Sequence, residues 1–181
     1  MCQTLSKIGD YKPFCWSPDK FDTTLQPIQK FLDLQKYQGK WYEIVRAKSI
    51  IEFRFDCVEN LYKLNLEKGV MNVDIKFHKK NGGIEELNTY ADIKNQNNTN
   101  WTITFHSFLK GSYFVLDFDE VNYQWALIGE PCRDYFWILS KDENLSTQII
   151  NNLLVKANEL KFDISQLVYR KDTCQKKISL M

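Results

Sequence analysis

The sequence predicts an all-β fold: an eight-stranded antiparallel up-and-down β-barrel with one α-helix packed on its outside near the C-terminus. Three observations predict it. Between Gly39 and Lys141 short segments alternating apolar and polar side chains recur at roughly 10-residue spacing, the pattern of a meander. Eight such segments close into a barrel able to hold one small ligand. A single later stretch carries apolar residues at spacings of three and four, which is an amphipathic helix.

Taken in order, residues 1–38 hold Pro13, Pro18 and Pro27 and show no sustained periodicity, so they are expected to form an irregular arm crossing the barrel. The barrel is expected over residues 39–141, its first strand opening on Gly39 and Trp41. In 57–66, Asn60, Tyr62 and Leu64 share one face; in 70–78, Met71, Val73, Ile75 and Phe77 oppose Asn72, Asp74, Lys76 and His78. His78 to Gly83 reads as a hairpin turn. The strand at 84–94 is more polar and suits an edge or the barrel mouth. After a polar loop, Trp101, Ile103 and Phe105 alternate against Thr102, Thr104 and His106. Strands at 112–119, 123–129 and 134–141 complete the eight. Ile149, Ile150, Leu153, Leu154, Ala157 and Leu160 then make the apolar stripe of a helix over 145–161, for which the barrel wall is the available partner. Residues 162–181 are expected to hold a short strand and a tail, and 181 residues suit a single domain.

Lys and Arg number 24 against 23 Asp and Glu, so no global field draws the chain to nucleic acid or an acidic membrane. Aromatic residues make up 14% of the chain, enough to fill a core or line a cavity with rings. No run reaches the roughly 18 apolar residues of a membrane span. Met1-Cys2-Gln3-Thr4 lacks the basic and apolar regions of a signal peptide, which is therefore expected to be absent from this sequence. The five cysteines are widely spaced without a C-x-x-C pair, a pattern that favours long-range disulfides over zinc, with buried free thiols as the alternative. Sequons begin at Asn97, Asn100 and Asn144.

Catalytic chemistry finds little support. His78 and His106 sit on polar faces outside any metal spacing, and there is no glycine-rich phosphate loop or G-x-S-x-G motif, so neither an enzyme nor a metal or cofactor site is expected. Parity places Glu43 inside with Trp41 and Val45, as a floor anchor or a contact for a ligand headgroup, with the structural role favoured. By the same parity Tyr62, Phe77, Trp101, Phe105, Trp125, Tyr135 and Trp137 face inward, and Phe108 lies at the fifth-strand exit. Of these, Tyr62, Phe77, Phe105, Phe108, Trp125, Tyr135 and Trp137 are the candidate ligand-binding residues, with several of the inward rings expected to fill the closed half of the interior.

The segment from Phe31 to Ile44, containing Gly39-Lys40-Trp41-Tyr42-Glu43, resembles the opening of the lipocalins, and Ala126 to Ser140 resembles their last two barrel strands. The likeness is to the subgroup of apolipoprotein D, the bacterial outer-membrane lipocalins and the plant temperature-induced lipocalins. It implies that Gly39, Trp41 and Lys141 form the closed end. The family usually has Arg where Lys141 stands; Lys keeps a cation–π contact with Trp41 but loses the planar fork. Asp117 to Tyr123 looks one residue longer than in the bacterial proteins. The resemblance further implies the disulfides Cys15–Cys132 and Cys57–Cys174, with Cys2 left single, and hence a secreted or lumenal protein. It also puts Tyr62 and Trp137 at pocket positions. The implied function is non-catalytic binding and transport of a small hydrophobic ligand: a fatty acid, lysophospholipid, sterol, retinoid or tetrapyrrole. The alternatives are a surface-recognition or oligomeric assembly protein with a filled barrel, docking through Tyr11, Phe14, Trp16 and Phe21, and, less favoured, an isomerase. Nucleic acid is not an expected partner; association with a membrane surface or lipid, and a homo-oligomer, are left open.

Overall fold

Each alternating segment has one apolar face to bury, and the structure buries those faces by curling the strands around a common interior. The computed structural model describes residues 22–48, 55–106 and 109–174. After a one-turn helix α1 (Leu34–Tyr37) come β1 (Gly39–Ala47), β2 (Phe55–Asn65), β3 (Val70–Lys79), β4 (Ile84–Ile93), β5 (Asn100–His106), β6 (Leu109–Phe118), β7 (Trp125–Gly129) and β8 (Phe136–Ser140). There follow α2 (Thr147–Glu159), a short β9 (Leu167–Tyr169) and α3 (Arg170–Thr173). From β1 to β8 each strand pairs antiparallel with the next, and β8 pairs back on β1, which closes an eight-stranded antiparallel barrel; β9 pairs with β1.

Two apolar clusters divide the molecule. One fills the interior, with Trp41, Tyr62, Met71, Ala91, Trp101, Val115, Ile128 and Leu139 at its heart. The other lies between the outer wall of β6–β8 and α2, where Leu116, Leu127, Phe136 and Ile138 meet Leu153, Ala157 and Phe162. The α2 helix begins at Ser146, whose hydroxyl accepts the Ile149 N–H at 3.3 Å, and it presents its apolar stripe to this wall. Residues 22–38 run down the same wall. Asp22 meets Pro131 and Arg133 at the β7–β8 turn, Leu25 joins the outer cluster, and Leu32 and Tyr37 plug the opposite end of the barrel.

Closure between β1 and β2 is partial. Among the described residues, only Gly39 to Tyr42 pair with β2, opposite Tyr62 to Glu59, and from Val45 onward that edge of β1 pairs with β9 instead. Guanidinium groups take over in the seam: Arg46 Nη2 donates to the Phe55 carbonyl at 3.1 Å, and Arg170 Nη1 to the Val58 carbonyl at 3.3 Å. Arg170 also lies over the Tyr42 ring at 4.6 Å and pairs with Glu143 at 3.1 Å. A disulfide, Cys57–Cys174, joins β2 to the segment after α3 across 117 residues of sequence.

Candidate functional site in the barrel interior

The closed end is built around Trp41. Gly39 adopts φ +109°, a conformation that side chains other than glycine strain to reach, and so turns the chain from α1 into β1. Trp41 then points inward, donates its indole N–H to the Tyr37 carbonyl at 2.8 Å and stacks on the Tyr37 ring with centroids 4.7 Å apart. Lys141 Nζ lies 5.3 Å from the Trp41 ring centre and donates to the Lys36 carbonyl at 2.8 Å; its burial lowers its pKa. Above Trp41 three tyrosine hydroxyls converge, Tyr113 meeting Tyr37 at 2.8 Å and Tyr62 at 3.1 Å. Trp101 stacks on Tyr113 at 4.9 Å and sends its N–H to the Asn98 carbonyl at 2.7 Å. Burial pushes all three phenol pKa values up, so these hydroxyls stay protonated well into the alkaline range.

Burial on the inner face grades with height. Trp41, Met71, Ala91 and Trp101 at the floor are fully buried, whereas Ile75, Phe77, Phe105 and Tyr135 toward the other end are only partly so. Trp137 stands between these levels, stacked beside Tyr135 with ring centroids 6.1 Å apart, and Phe77 packs against Phe55 at 4.6 Å. An aromatic wall therefore rises from a packed base.

Two charged groups sit inside this wall. Glu43 is 8% exposed and Arg46 3%, with Arg46 Nη1 4.0 Å from the Glu43 carboxylate. A β-bulge between Glu43 and Val45 puts them there together. Beyond the bulge the parity of β1 reverses: Val45, expected inside, joins the outer cluster, and Arg46 opposes Trp137 on the inner face. No periodicity in the sequence marks Arg46, because the extra residue is a feature of pairing with β8. Tyr37 and Tyr113 also escaped the sequence reading; Tyr113 lies on a strand apolar on both faces.

Of the expected ligand residues, Phe77, Phe105, Tyr135 and Trp137 line the inner wall, and Tyr62 belongs to the floor with its hydroxyl on Tyr113. Trp125 is a correction. It packs in the outer cluster, while Ala126 and Ile128 of the same strand face inward. The outer wall of β7 must be apolar for the elements packed on it, so Trp-Ala-Leu-Ile shows no alternation from which parity could be read. Phe108, Cys2, Cys15 and the arm aromatics Tyr11, Phe14, Trp16 and Phe21 lie outside the described residues, as does the side chain of His106. Cys132 is disulfide-bonded. It sits in a turn organised by the fully buried Glu130, whose carboxylate accepts the N–H groups of Cys132, Asp134 and Tyr135 at 2.7, 2.7 and 3.1 Å. His78, expected on the solvent side, is half-buried with Nε2 3.3 Å from Glu59. Among the described residues no three His, Cys, Asp or Glu side chains gather as a metal site.

Comparison with known proteins gives a consistent picture. The family model of the Lipocalin-like domain matches residues 32–172. The chain is 26% identical to the outer membrane lipoprotein Blc of Vibrio cholerae over 147 residues, covering 81% of this chain and 85% of that protein. It is 30% identical to temperature-induced lipocalin-1 of Arabidopsis thaliana, over 77% of this chain and 79% of the relative. With apolipoprotein D of Macaca fascicularis the identity is 27%, over 75% and 76%. Among solved structures, insecticyanin from the tobacco hornworm Manduca sexta superposes with a TM-score of 0.64 at 20% identity, over 88% of this chain and 86% of that one, a likeness of fold.

Proposed function

The chain belongs to the lipocalin-like family, whose members are generally non-catalytic proteins that bind small hydrophobic ligands, and from that premise we propose that it carries one apolar small molecule in the upper half of its barrel. The observation that carries this reading is the gradient on the inner face, from a fully buried aromatic floor to the partly exposed Ile75, Phe77, Phe105 and Tyr135 above it. Ile75, Phe105 and Tyr135 pack against the floor cluster from its edge and are not part of its fully buried centre. Covering them with a ligand removes apolar surface of both partners from water at about 25 cal/mol per Å². Trp137 forms the middle of the wall, and Tyr62 is the deepest ring a ligand meets. The Cys57–Cys174 bond supports an oxidising compartment, secreted or lumenal.

Calorimetric titration of delipidated protein with a fatty acid, a retinoid and a sterol tests the reading. At least one should bind saturably at one per chain, and Phe105→Ala and Trp137→Ala should each weaken it roughly 5- to 30-fold. Tyr90, exposed on the outer face, serves as the control: Tyr90→Ala should leave affinity unchanged. Absence of saturable binding in a folded sample, or equal weakening by all three substitutions, would overturn it.

A further inference from the structure

We propose that Asn144 is an N-glycosylation site: of the three sequons, Asn144-Leu145-Ser146 is the one that the fold leaves open to carry an oligosaccharide. The inference goes beyond the carrier reading and rests on its compartment, secreted or lumenal, where such transfer takes place. Asn144 lies exposed in the loop between β8 and α2, and Ser146 is exposed with it. The sequon is held by local hydrogen bonds. The Asn144 N–H goes to Asp142 Oδ1 at 2.8 Å, and the Ser146 hydroxyl and carbonyl accept the Ile149 and Ile150 N–H groups at 3.3 and 3.1 Å. Among the described residues the side-chain amide of Asn144 makes no hydrogen bond, so its nitrogen is free to react without breaking a contact of the fold.

The other two sequons are built into the packing of the closed end. Asn97 and Asn100 are half-buried, and Thr99, the hydroxyl residue of the first sequon, is 0% exposed. Its hydroxyl donates to the Ile28 carbonyl at 3.0 Å and accepts from Asn95 Nδ2 at 3.0 Å, while the Asn97 carbonyl accepts the Leu32 N–H at 2.9 Å. Reaching that sequon in the folded chain means releasing residues 28–32 from it. Asn100 opens β5 opposite Phe114 of the outer cluster, its carbonyl accepts the Lys94 N–H at 2.7 Å, and the middle residue of its sequon, Trp101, is fully buried. A glycan attached at either position before folding would have to share space with these contacts. Asn144 meets neither constraint. Its Nδ2 forms a bond to the anomeric carbon of an oligosaccharide delivered on a polyprenyl diphosphate. The anomeric carbon–oxygen bond breaks, the lipid diphosphate leaves with the electron pair, and the amide gives up one proton to a base of the transferase. The loop starts at the closed end, where the Lys141 N–H meets the Gln124 carbonyl at 2.9 Å, so a glycan there leaves the opposite end of the barrel clear.

Mass spectrometry of the full chain purified from its native source tests the inference. Enzymatic release of the glycan in heavy-oxygen water converts a glycosylated Asn to a labelled Asp, so the label marks the occupied sequon. Asn144 should carry it, and Asn97 and Asn100 should not. In protein secreted by a eukaryotic host, Asn144→Gln should abolish the change in gel mobility that glycan removal produces, whereas Asn97→Gln and Asn100→Gln should leave that change intact. Ser146→Thr keeps both the sequon and a helix-capping hydroxyl, and should retain the glycan. A label on Asn97 or Asn100, or loss of the mobility change in either of their variants, would overturn the inference. An unlabelled Asn144 in native protein with the Cys57–Cys174 bond formed overturns it and leaves the secreted or lumenal reading standing. An unlabelled Asn144 together with free thiols at both cysteines overturns the compartment as well.

Discussion

Trp41 is held by three contacts: its N–H by the Tyr37 carbonyl, its ring by stacking on Tyr37, and again its ring by the Lys141 ammonium lying over it. Truncation to Ala would leave a large cavity at a fully buried position, so Trp41→Ala should cost about 3–5 kcal/mol in denaturant titration. Lys141→Ala should cost clearly less, since its contact with the ring is a partly hydrated cation–π interaction of about 1 kcal/mol. At the other end Asp22 ties the chain to the β7–β8 turn. Hydrogen bonds from Thr24 and the ion pair with Arg133 lower its carboxyl pKa from 3.8 to about 2. Because the folded value lies below the unfolded one, this contact contributes stability above the unfolded pKa and loses it as pH falls through about 2. The Asp22 carboxyl resonance should therefore titrate near that pH, and Arg133→Gln should move the midpoint upward.

Among the elements, alternation in β3 and β5 was plain in the sequence because one face of each meets water, and Met71, Val73, Trp101 and Ile103 do face inward. The strands β6, β7 and β8 are apolar on both faces, since α2 and residues 22–38 pack outside them, and parity there had no anchor; Trp125 was misplaced for that reason. Bulges in β1 and between Val115 and Asp117 of β6 change which residues face inward, and they too are products of pairing. Gly129 on β7 reports the outer packing. A Cβ there would approach a Phe162 ring carbon to 2.5 Å and a Leu116 methyl to 2.7 Å, both on buried side chains with little room to give. Gly129→Ala should destabilise by about 1–3 kcal/mol through overpacking, measurable as a lower denaturation midpoint with ligand binding retained.

At the scale of the whole molecule, the weak line is the seam where β1 leaves β2. Two guanidinium groups and the C-terminal β9–α3 segment cover it, and Cys57–Cys174 staples that segment to β2. The bond spans 117 residues, and in the chain-entropy account a loop of this size stabilises by up to roughly 4–5 kcal/mol. Replacing both cysteines with Ser should lower the melting temperature. It should also raise amide exchange first in β9, whose pairing with Val45 to Ala47 holds the edge of the seam. Uniform exchange across the barrel would instead mean that the staple acts only on the unfolded chain.

The eight barrel strands, their order and the outer helix were legible in the residues, because solvent on one side of a strand such as β3 writes its period into the sequence and turn residues mark the strand ends elsewhere. The Gly39-Lys40-Trp41 opening and the Ala126 to Ser140 segment carried the family. What only tertiary structure decided is how the interior is divided and where its charge lies. Tyr37, Tyr62 and Tyr113 become a sealed floor only when α1, β2 and β6 converge, and Arg46 enters the barrel only because a bulge against β8 reverses the parity of β1. Both depend on contacts between residues far apart in the chain, which local spacing does not encode.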